Sequence, residues 1–346
     1  MSARMRAAVF SEFGGPEVVE VRDDVAVPEP GPGEVRLSVD AAAMNHLDLW
    51  IRRGLPIETP MPHIGGSDIA GTVEALGPGV EGVPVGTRVV VDPSIGYDWY
   101  EGEDRGDSIS DPPFRIIGEH TQGGFAEYVV VPASNLLEIP EGYPSSRASA
   151  AGLAFVTAWR ALMTRGGLQP GERVLVTGAS GGVGTASVAI AVAAGAQVYA
   201  LTSGGENVRR LREMGAHTVY DRNEVEFARE IWRDTGKRGV HLAYDTVGEA
   251  VWEDCLRALG VGGRLVTSGA TTGSRGITEI RLVFWKQLSI LGSTMGTPTE
   301  FRRVMRMVFA GALEPIIHET LPLAEARRAH ALLEEGHVFG KLVLEP

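Results

Sequence analysis

The stretch Arg173-Val-Leu-Val-Thr-Gly-Ala-Ser-Gly-Gly-Val-Gly184 decides the fold of this chain. An apolar strand, Val174 to Thr177, leads into a glycine-rich turn. An Ala-rich helix from Thr185 to Ala194 follows, and Gly195 is placed to cap its C-terminus. A second apolar strand runs from Gln197 to Thr202. This order of strand, glycine turn, helix and strand indicates the phosphate-binding βαβ unit of a dinucleotide-binding fold.

Glycines suit this turn because the backbone must approach a pyrophosphate closely and the helix must pack tightly against the strand. The helix N-terminus then offers unpaired N–H groups and the positive end of its dipole to the anion. In the usual G-x-G-x-x-G frame, Ala179 replaces the first glycine. The surrounding strands and helix still favour dinucleotide binding over a merely structural turn. The residues expected to bind the cofactor here are Ala179, Ser180, Gly181, Gly182, Val183 and Gly184.

Composition limits the class of protein. The 346 residues, 44% of them hydrophobic, are enough for two domains with separate cores. The single cysteine, Cys255, excludes an internal disulfide and a cysteine-rich zinc site. The net charge of −12, with no visible basic patch, argues against a nucleic-acid partner. No apolar run approaches the roughly 20 residues of a membrane helix, and no signal peptide is visible, so a soluble cytoplasmic protein is expected.

The chain changes character near Ala148. Before it, short strand-like runs separated by Gly and Pro turns predict a β domain of small-barrel type. Those runs are Glu34 to Asp40, Gly71 to Leu76, Arg88 to Val91 and Phe125 to Val131. From there to Met295, strands and helices alternate, which predicts a doubly wound parallel sheet. Its strands are expected at 173–177, 197–202, 217–220, 240–245, 263–268 and 288–292.

The last fifty residues return to mixed structure. Thr297-Pro-Thr-Glu300 has the pattern of a capping box with Pro at the first helical position, and it predicts a helix through Phe309. A strand near Pro315–Glu319, a helix from Leu323 to Glu335 and a last strand, Lys341–Leu344, follow.

Four short patterns together resemble the medium-chain dehydrogenase/reductase superfamily. They are Gly65-Gly-Ser-Asp-Ile-Ala-Gly71, Gly123-Gly-Phe-Ala-Glu-Tyr128, Thr157-Ala-Trp-Arg-Ala-Leu162 and Gly340-Lys-Leu-Val-Leu344. The resemblance covers the whole chain and implies an α/β fold with two domains. A GroES-like β-barrel catalytic domain would comprise residues 1–151 and 297–346. A Rossmann NAD(P)-binding domain would comprise residues 152–296.

Differences from the zinc alcohol dehydrogenases indicate which branch of this superfamily the chain resembles. Their catalytic Cys, His and Cys ligands match Asn45, Ser67 and Leu153 here, which do not form a zinc site. The loop from Ser94 to Ile117, which matches their structural zinc lobe, has no cysteine. Its acidic residues allow a calcium site, but they lack the EF-hand pattern, and a solvated surface lobe is favoured. We therefore expect no metal.

Asn45 and Gly66-Ser67-Asp68 resemble the zinc-free quinone oxidoreductase branch. That resemblance places Asn45 near the nicotinamide and Trp50 in the substrate pocket, and we assign Thr157 to the catalytic set with them. The wider set of candidate cleft residues includes Tyr97 and Phe284, with Gly292–Thr297 facing the nicotinamide. His46 and Asp48 are interpreted as a hydrogen-bonded structural pair rather than a proton relay.

The end of the second Rossmann strand predicts the cofactor. An NAD-type unit carries an acid there, which holds the ribose 2′-hydroxyl, but this chain has Ser203. We therefore expect NADPH rather than NADH. The 2′-phosphate would contact Ser203, Tyr220 and one arginine, which could be Arg209, Arg210 or Arg222. The other residues assigned to the cofactor are Val247, Gly269, Ala270 and Lys341.

The leading hypothesis is an NADPH-dependent reductase that transfers hydride to a quinone or an α,β-unsaturated carbonyl, without zinc. One alternative is a carbonyl reductase or alcohol dehydrogenase with atypical ligands drawn from His46, Asp48, Asp68 and His120, or with no metal. An alternative of another class is a non-catalytic, crystallin-like NADPH-binding protein.

A homodimer is also expected. The apolar run Leu288 to Gly292 would be the edge strand of the sheet, and a second copy of the chain would cover it. The alternative is that the C-terminal segment of the same chain covers this edge.

Overall fold

The structure is a computed structural model in which residues 3–97 and 114–346 are described. The acidic residues of the predicted surface lobe, Asp98, Glu101, Glu103, Asp104, Asp107 and Asp111, lie outside the described residues. The chain divides into two compact units. The first contains the residues up to Leu153 together with Gly296–Gly311 and Pro315–Pro346, and the second contains Ala154–Met295 and Ala312–Glu314.

The described strands and helices have the following bounds. The strands are β1 (Arg4–Val9), β2 (Glu20–Ala26), β3 (Glu34–Ala43), β4 (Asp68–Leu76), β5 (Arg88–Val91), β6 (Ser94–Ile95), β7 (Arg115–Ile116), β8 (Tyr128–Pro132), β9 (Leu136–Glu138), β10 (Arg173–Val176), β11 (Gln197–Thr202), β12 (Thr218–Asp221), β13 (Val240–Asp245), β14 (Leu259–Thr267), β15 (Ser289–Gly292), β16 (Ile317–Pro322) and β17 (Lys341–Glu345). The α-helices are α1 (His46–Arg53), α2 (Ser145–Trp159), α3 (Gly182–Ala193), α4 (Gly205–Glu213), α5 (Phe227–Asp234), α6 (Trp252–Ala258), α7 (Ile280–Lys286), α8 (Pro298–Phe309) and α9 (Ala326–Glu335). A π-helical turn, Arg160–Arg165, continues α2.

The main sheet of the first unit is built around β3. Its strand order is β16-β17-β3-β4-β5-β9, and β8 also pairs with β3. Buried and partly exposed residues alternate along β3 as far as Asp40, which is the pattern of a strand with one face against a core. In the register of this sheet Ala43 pairs with Asp68 of β4 and with Val343 of β17. The last residues of β3 therefore lie beside the first residues of β4 and beside the middle of β17, and the chain after β3 leads towards the start of β17.

The second unit is a six-stranded parallel sheet with the order β12-β11-β10-β13-β14-β15. This is the doubly wound order of a dinucleotide-binding fold, with β10 at its centre. The predicted strands agree with the observed ones, except that β14 begins at Leu259 rather than near residue 263. The α/β fold class is confirmed. No helix among residues 3–97 and 114–346 combines the length and apolar character needed to cross a membrane.

Two local predictions can be checked in detail. The capping box at Thr297 is present, because the Thr297 hydroxyl accepts from the Glu300 N–H and Glu300 accepts from the Thr297 N–H. The helix after the glycine turn begins at Gly182, three residues earlier than predicted, because Gly181 itself is the N-cap residue. The glycines therefore form the first turn of the helix as well as the approach to it.

Candidate active site

The glycine turn lies at the carboxyl edge of the six-stranded sheet, between β10 and α3. Gly181 is the N-cap of α3, and no side chain caps this end. A Cβ atom on Gly184 would lie 2.2 Å from the carbonyl oxygen of Gly178, whereas a Cβ atom on Gly181 would meet only that oxygen, at 3.6 Å. Gly184 is therefore required for packing within the turn, and Gly181 leaves the helix N-terminus open. The pyrophosphate of a dinucleotide fits such an uncapped helix end.

Most of the other expected cofactor residues follow neighbouring strands at this same edge. Ser203 follows β11 and Arg222 follows β12, while Val247 comes after β13. Gly269 and Ala270 come after β14. Because parallel strands end at one edge of the sheet, these residues share that edge with the glycine turn. Their role in binding the cofactor stays a prediction.

A carboxylate that was not expected from the sequence lies beside Ser203. Asp221 ends β12, next to Thr202 of β11. Its two oxygens accept from the backbone N–H of Gly204 at 2.8 Å and of Asn223 at 2.9 Å. The backbone N–H of Arg222 donates to the carbonyl oxygen of Thr202 at 2.9 Å. The loop after β11 therefore lies beside an acidic residue, Asp221, and a basic residue, Arg222. Asp221 is the last residue of β12, and Arg222 follows it directly.

Two of the residues assigned to the phosphate pocket make other contacts. Tyr220 is buried in the core, and its hydroxyl donates to Asp234 at 2.8 Å. Arg209 lies on the exposed face of α4, where it forms ion pairs with Glu206 and Glu213, each at 2.5 Å. These contacts argue against both assignments, because the Tyr220 side chain faces the core and carboxylates one turn away neutralise Arg209. Ser203 and Arg222 remain as candidates, with Arg210 as the other arginine that the sequence offers.

In the first unit, Asn45, Asp68 and Lys341 form a buried cluster of polar side chains. The Lys341 ammonium donates to Asn45 Oδ1 at 2.5 Å and to Asp68 Oδ2 at 3.0 Å. Asn45 Nδ2 donates to the same Asp68 oxygen at 3.0 Å, and the backbone N–H of Leu153 donates to Asp68 Oδ1 at 2.5 Å. Lys341 is 4% exposed and Asp68 is fully buried. The predicted cofactor residue Lys341 thus has its charge beside Asn45 and Asp68.

The Asn45 backbone is fixed by α1. Asn45 is the N-cap of this helix, and its N–H donates to Asp48 Oδ2 at 2.7 Å. The other oxygen of Asp48 accepts from the Gly66 N–H at 3.0 Å. Both Asp48 oxygens accept from backbone N–H groups and neither bonds to His46, so the expected hydrogen-bonded pair of His46 and Asp48 is wrong. The backbone amides compete for Asp48 more effectively because the helix start holds them close to the carboxylate.

Glu119 is a second buried acid near Asp48. It is 7% exposed, and its Oε2 has no hydrogen-bond partner among the described residues. Burial, to which the charge of Asp48 adds, raises the pKa of Glu119 to about 7. Burial also raises the pKa of Asp48 to about 6, although its two backbone N–H donors favour the ionised form. Both carboxyl groups therefore titrate close to neutral pH.

The three positions that match zinc ligands do converge around Asp68. Asn45 bonds to it, Ser67 precedes it, and Leu153 donates its backbone N–H to it. An amide, a hydroxyl and an alkyl chain are a poor donor set for Zn²⁺. The buried ammonium of Lys341 would also repel a second cation. These residues therefore do not fit a catalytic zinc ion.

The alternative metal ligands do not form a site either. Asp68 is paired with Lys341, Asp48 binds backbone amides, and His120 Nδ1 accepts from the Ile116 N–H at 3.1 Å. Within the described ranges, no three His, Cys, Asp or Glu side chains are grouped so as to hold a metal ion.

The remaining candidate residues differ in exposure. Trp50 of α1 is partly buried, and the guanidinium of Arg53 lies 5.5 Å from its ring centroid. Thr157 of α2 is 6% exposed, and its hydroxyl has no partner in the described part of the chain. Tyr97 is 1% exposed and Phe284 is 63% exposed. Contact of these side chains with substrate stays a prediction.

The sequence indicates Asp68 as part of the Gly66-Ser67-Asp68 resemblance and as an alternative metal ligand, and it indicates Lys341 as a cofactor residue. Their contact joins residues 273 positions apart, so no local pattern could predict it. A weaker signal was present. Each is the only charged residue in a run of small and apolar residues, Gly65–Gly71 and Gly340–Leu344. A charge in such a run is rarely buried unless it is paired.

Comparison with known proteins settles the family. The family model described as alcohol dehydrogenase GroES-like domain matches residues 31–141, and the model described as zinc-binding dehydrogenase matches residues 182–310. Quinone oxidoreductase of Homo sapiens is 32% identical over 350 residues, which cover 98% of this chain and 97% of that protein. The chain belongs to the medium-chain dehydrogenase/reductase superfamily. The predicted superfamily is thus confirmed, and the first unit carries its GroES-like domain.

Two solved structures extend the comparison. An NAD-dependent alcohol dehydrogenase has a TM-score of 0.92 at 40% sequence identity, covering 99% of this chain and all of that one. Crotonyl-CoA carboxylase/reductase AntE in complex with NADP has a TM-score of 0.88 at 26% identity, covering 99% of this chain and 95% of that one. The protein is an enzyme, an NAD(P)H-dependent reductase of the quinone oxidoreductase type, and it uses a nicotinamide cofactor. The non-catalytic alternative is thereby set aside.

Proposed function

We propose that this enzyme transfers hydride from NADPH to a quinone or an α,β-unsaturated carbonyl compound, without a catalytic zinc ion. The observation that supports the proposal is the cluster of Asn45, Asp68 and Lys341, in which Asn45 stands at a position that matches a zinc ligand of the zinc alcohol dehydrogenases. A bound metal polarises an alkoxide or a simple carbonyl group. N–H donors are weaker, and they suffice best for an acceptor that spreads its developing charge over a conjugated system.

The chemistry divides between cofactor, acceptor and protein. When bound, the reduced nicotinamide supplies a hydride. The acceptor takes up this electron pair with its hydrogen at carbon, its π electrons shift, and its carbonyl oxygen becomes negative. A proton from water then completes the reduction. The protein holds the pyrophosphate at the uncapped N-terminus of α3, orients the acceptor and offers hydrogen-bond donors to the negative oxygen.

The names of similar proteins support this acceptor class. The human relative is a quinone oxidoreductase, and the AntE structure is named for crotonyl-CoA, an unsaturated thioester. The second candidate function is that of a carbonyl reductase or alcohol dehydrogenase. It is favoured by one observation, the 40% identity to a structure named as an NAD-dependent alcohol dehydrogenase. The donor set around Asp68 weighs against it, because simple alcohols need strong polarisation.

The proposed cofactor preference rests on Ser203 and Arg222, which follow adjacent strands and can both contact a 2′-phosphate. The NADP in the AntE structure supports it. Asp221 opposes it, because a carboxylate beside Ser203 repels the phosphate. We therefore expect NADPH to be preferred, with NADH accepted as well.

A panel of acceptors tests the proposed function. Oxidation of NADPH by the purified protein is measured with benzoquinone, cyclohexenone, crotonyl-CoA and benzaldehyde. We expect turnover with at least one of the first three and no loss after dialysis against a chelator. Elemental analysis should find no stoichiometric zinc. Turnover restricted to benzaldehyde, with one zinc per chain and inactivation by the chelator, would establish the second candidate instead.

We further propose that the enzyme is a homodimer that pairs through β15. This strand is the edge of the described six-stranded sheet, and Ile290 on it is 41% exposed. On the preceding helix α7, Trp285 is 81% exposed. An uncovered edge with apolar neighbours is a liability, which an isologous contact with a second copy removes. In the alternative, in which the C-terminal segment covers this edge, β17 could not be the covering strand, because it already pairs with β16 and β3.

Light scattering at micromolar concentration should therefore give the mass of a dimer. Replacement of Ile290 by Lys, which places a charge on the edge strand, should shift the mass towards the monomer. A monomeric mass for the wild-type protein would reject the dimer.

A further inference from the structure

The carboxamide of Asn45 has a fixed orientation. An ammonium group can only donate hydrogen bonds, and an ionised carboxylate can only accept them. The Asn45 oxygen must therefore face Lys341, at 2.5 Å, and its nitrogen must face Asp68, at 3.0 Å. A carboxamide nitrogen carries two hydrogens, and Asp68 takes one. The second N–H has no partner in the described part of the chain.

The groups that hold this carboxamide are themselves immobilised. Asp68 Oδ1 is bound to the Leu153 N–H at 2.5 Å, and Asp68 Oδ2 is shared by Asn45 and Lys341. The Asn45 backbone is fixed as the N-cap of α1 by its bond to Asp48. The cluster is also highly buried, with Asn45 itself 7% exposed. While Lys341 is present, the Asn45 amide can therefore adopt few other orientations.

We propose that Lys341 is a positioning residue. It turns the Asn45 carboxamide so that the second N–H donates to the carbonyl oxygen of the acceptor. The inference rests on the proposed function, because that function places a negative oxygen at this point. As hydride adds to the acceptor carbon, the π electrons move to the oxygen, and the Asn45 N–H stabilises the resulting anion until water protonates it. The Lys341 ammonium strengthens the donor by polarising the amide through its oxygen.

A purely structural role for Lys341 would be to neutralise the buried charge of Asp68. The double variant Lys341→Met/Asp68→Asn separates the two roles, because it removes both charges together. In this variant the carboxamide introduced at position 68 can still accept from the Leu153 N–H through its oxygen, but its nitrogen then faces Asn45. Asn45 must turn its oxygen towards that nitrogen, and its own N–H groups then point away from the acceptor.

The experiment measures kcat and KM for benzoquinone and cyclohexenone, together with the dissociation constant for NADPH. We expect the double variant to keep its folded circular dichroism spectrum and its affinity for NADPH. We expect kcat to fall about 100-fold with little change in KM, the usual effect of losing one donor to a developing oxyanion. The matched control is Lys286→Met, because the Lys286 ammonium donates only to backbone carbonyl groups, and its kcat should not change.

The outcomes are distinct. A wild-type kcat in the double variant would show that the orientation of the Asn45 carboxamide does not matter to catalysis and that Lys341 serves only to balance charge, and it would overturn the inference. A fall in kcat that follows a loss of structure or of NADPH affinity would also count against positioning. If the wild-type enzyme reduces none of benzoquinone, cyclohexenone and crotonyl-CoA, the proposed acceptor class fails, and the double variant is not needed to show it. The single variant Lys341→Met is less informative, because it leaves Asp68 charged and unpaired in the interior.

Discussion

The glycine turn and the Asn45 cluster bring ligand-binding groups together in opposite ways. The turn uses backbone N–H groups from one short segment, and its main requirement is the absence of side chains, as the 2.2 Å approach at Gly184 shows. The cluster uses three side chains, and its most distant pair is 296 residues apart. A site of the first kind is defined by local sequence. A site of the second kind exists only when the sheet has aligned β3, β4 and β17.

Substitution of Gly181 by Val should give the largest effect and would test whether the turn is a backbone site. An added side chain has room within the fold but occupies the approach to the helix N-terminus. Loss of two charge-assisted hydrogen bonds, each worth about 1.5–3 kcal/mol, would weaken NADPH binding by roughly 100-fold or more. The check is the dissociation constant for NADPH in a variant with wild-type thermal stability.

Gly184→Val is the matched control for this prediction. Its Cβ would collide with the Gly178 carbonyl, so we expect loss of stability as well as of binding. A folded Gly181→Val variant with wild-type affinity for NADPH would mean that the turn does not bind the cofactor.

The region of the side-chain cluster should be sensitive to pH in a way that the glycine turn is not. The pKa of Glu119 is about 7 in the folded protein against an ordinary value of 4.5. Because the folded form holds the proton more tightly, this stabilisation is complete below pH 4.5 and is lost as the pH rises through 7. The loss is at most about 3.5 kcal/mol, at ~1.4 kcal/mol for each of the roughly 2.5 pKa units between the two values.

Glu119→Gln should remove this dependence. The measurement is the free energy of unfolding from urea titrations at a series of pH values from mildly acidic to mildly alkaline. The variant should lose less stability than the wild-type protein as the pH rises, and Glu141→Gln, at an exposed position, should behave as the wild type does. Parallel curves for Glu119→Gln and the wild-type protein would show that Glu119 is already ionised in the fold.

Substitutions that alter the preference between NADPH and NADH should have a smaller effect. This preference depends on the loop after β11, which lies beside the end of β12. Asp221→Asn removes a negative charge beside Ser203, and Arg222→Ala removes a positive one. The first should raise the preference for NADPH over NADH and the second should lower it. Each change should be about ten-fold, the effect of one charge-assisted contact. The ratio of kcat/KM for the two cofactors measures it.

Arg209→Ala is the control, because Arg209 is already paired with Glu206 and Glu213. Equal KM values for both cofactors in the wild-type enzyme, unchanged in Arg222→Ala, would show that Ser203 and Arg222 do not form a phosphate site.

The parts of the fold that follow from local patterns were predictable. The strands of the second unit are short apolar runs between glycines, and the helix after Thr297 is indicated by its capping box. The glycine turn was predictable for the same reason, because its chemistry depends on neighbouring residues.

Predictions that depend on tertiary structure were less successful. Asp221 was not expected beside Ser203, because only the pairing of β11 with β12 brings it there. Tyr220 was assigned to the phosphate pocket although it precedes Asp221 by one position and therefore points to the opposite face of the sheet. For Asp48, the sequence could not show that the backbone of Gly66 comes within hydrogen-bond distance of its carboxylate.

The alignment of β17 with β3 has a consequence for synthesis on the ribosome. Strand β3 and Asn45, which follows it, are made early. Lys341, the hydrogen-bond partner of Asn45, is made 296 residues later. At about 5–20 residues per second, the wait is roughly 15–60 seconds. During that time Asp68 has no ammonium partner, and the end of β3 at Ala42 and Ala43 lacks β17, although β8 already pairs with the start of the same flank. For most of its synthesis the nascent first unit therefore has a short unpaired edge, at the end of β3 that leads to Asn45, and this edge is where a chaperone that shields strand edges would bind.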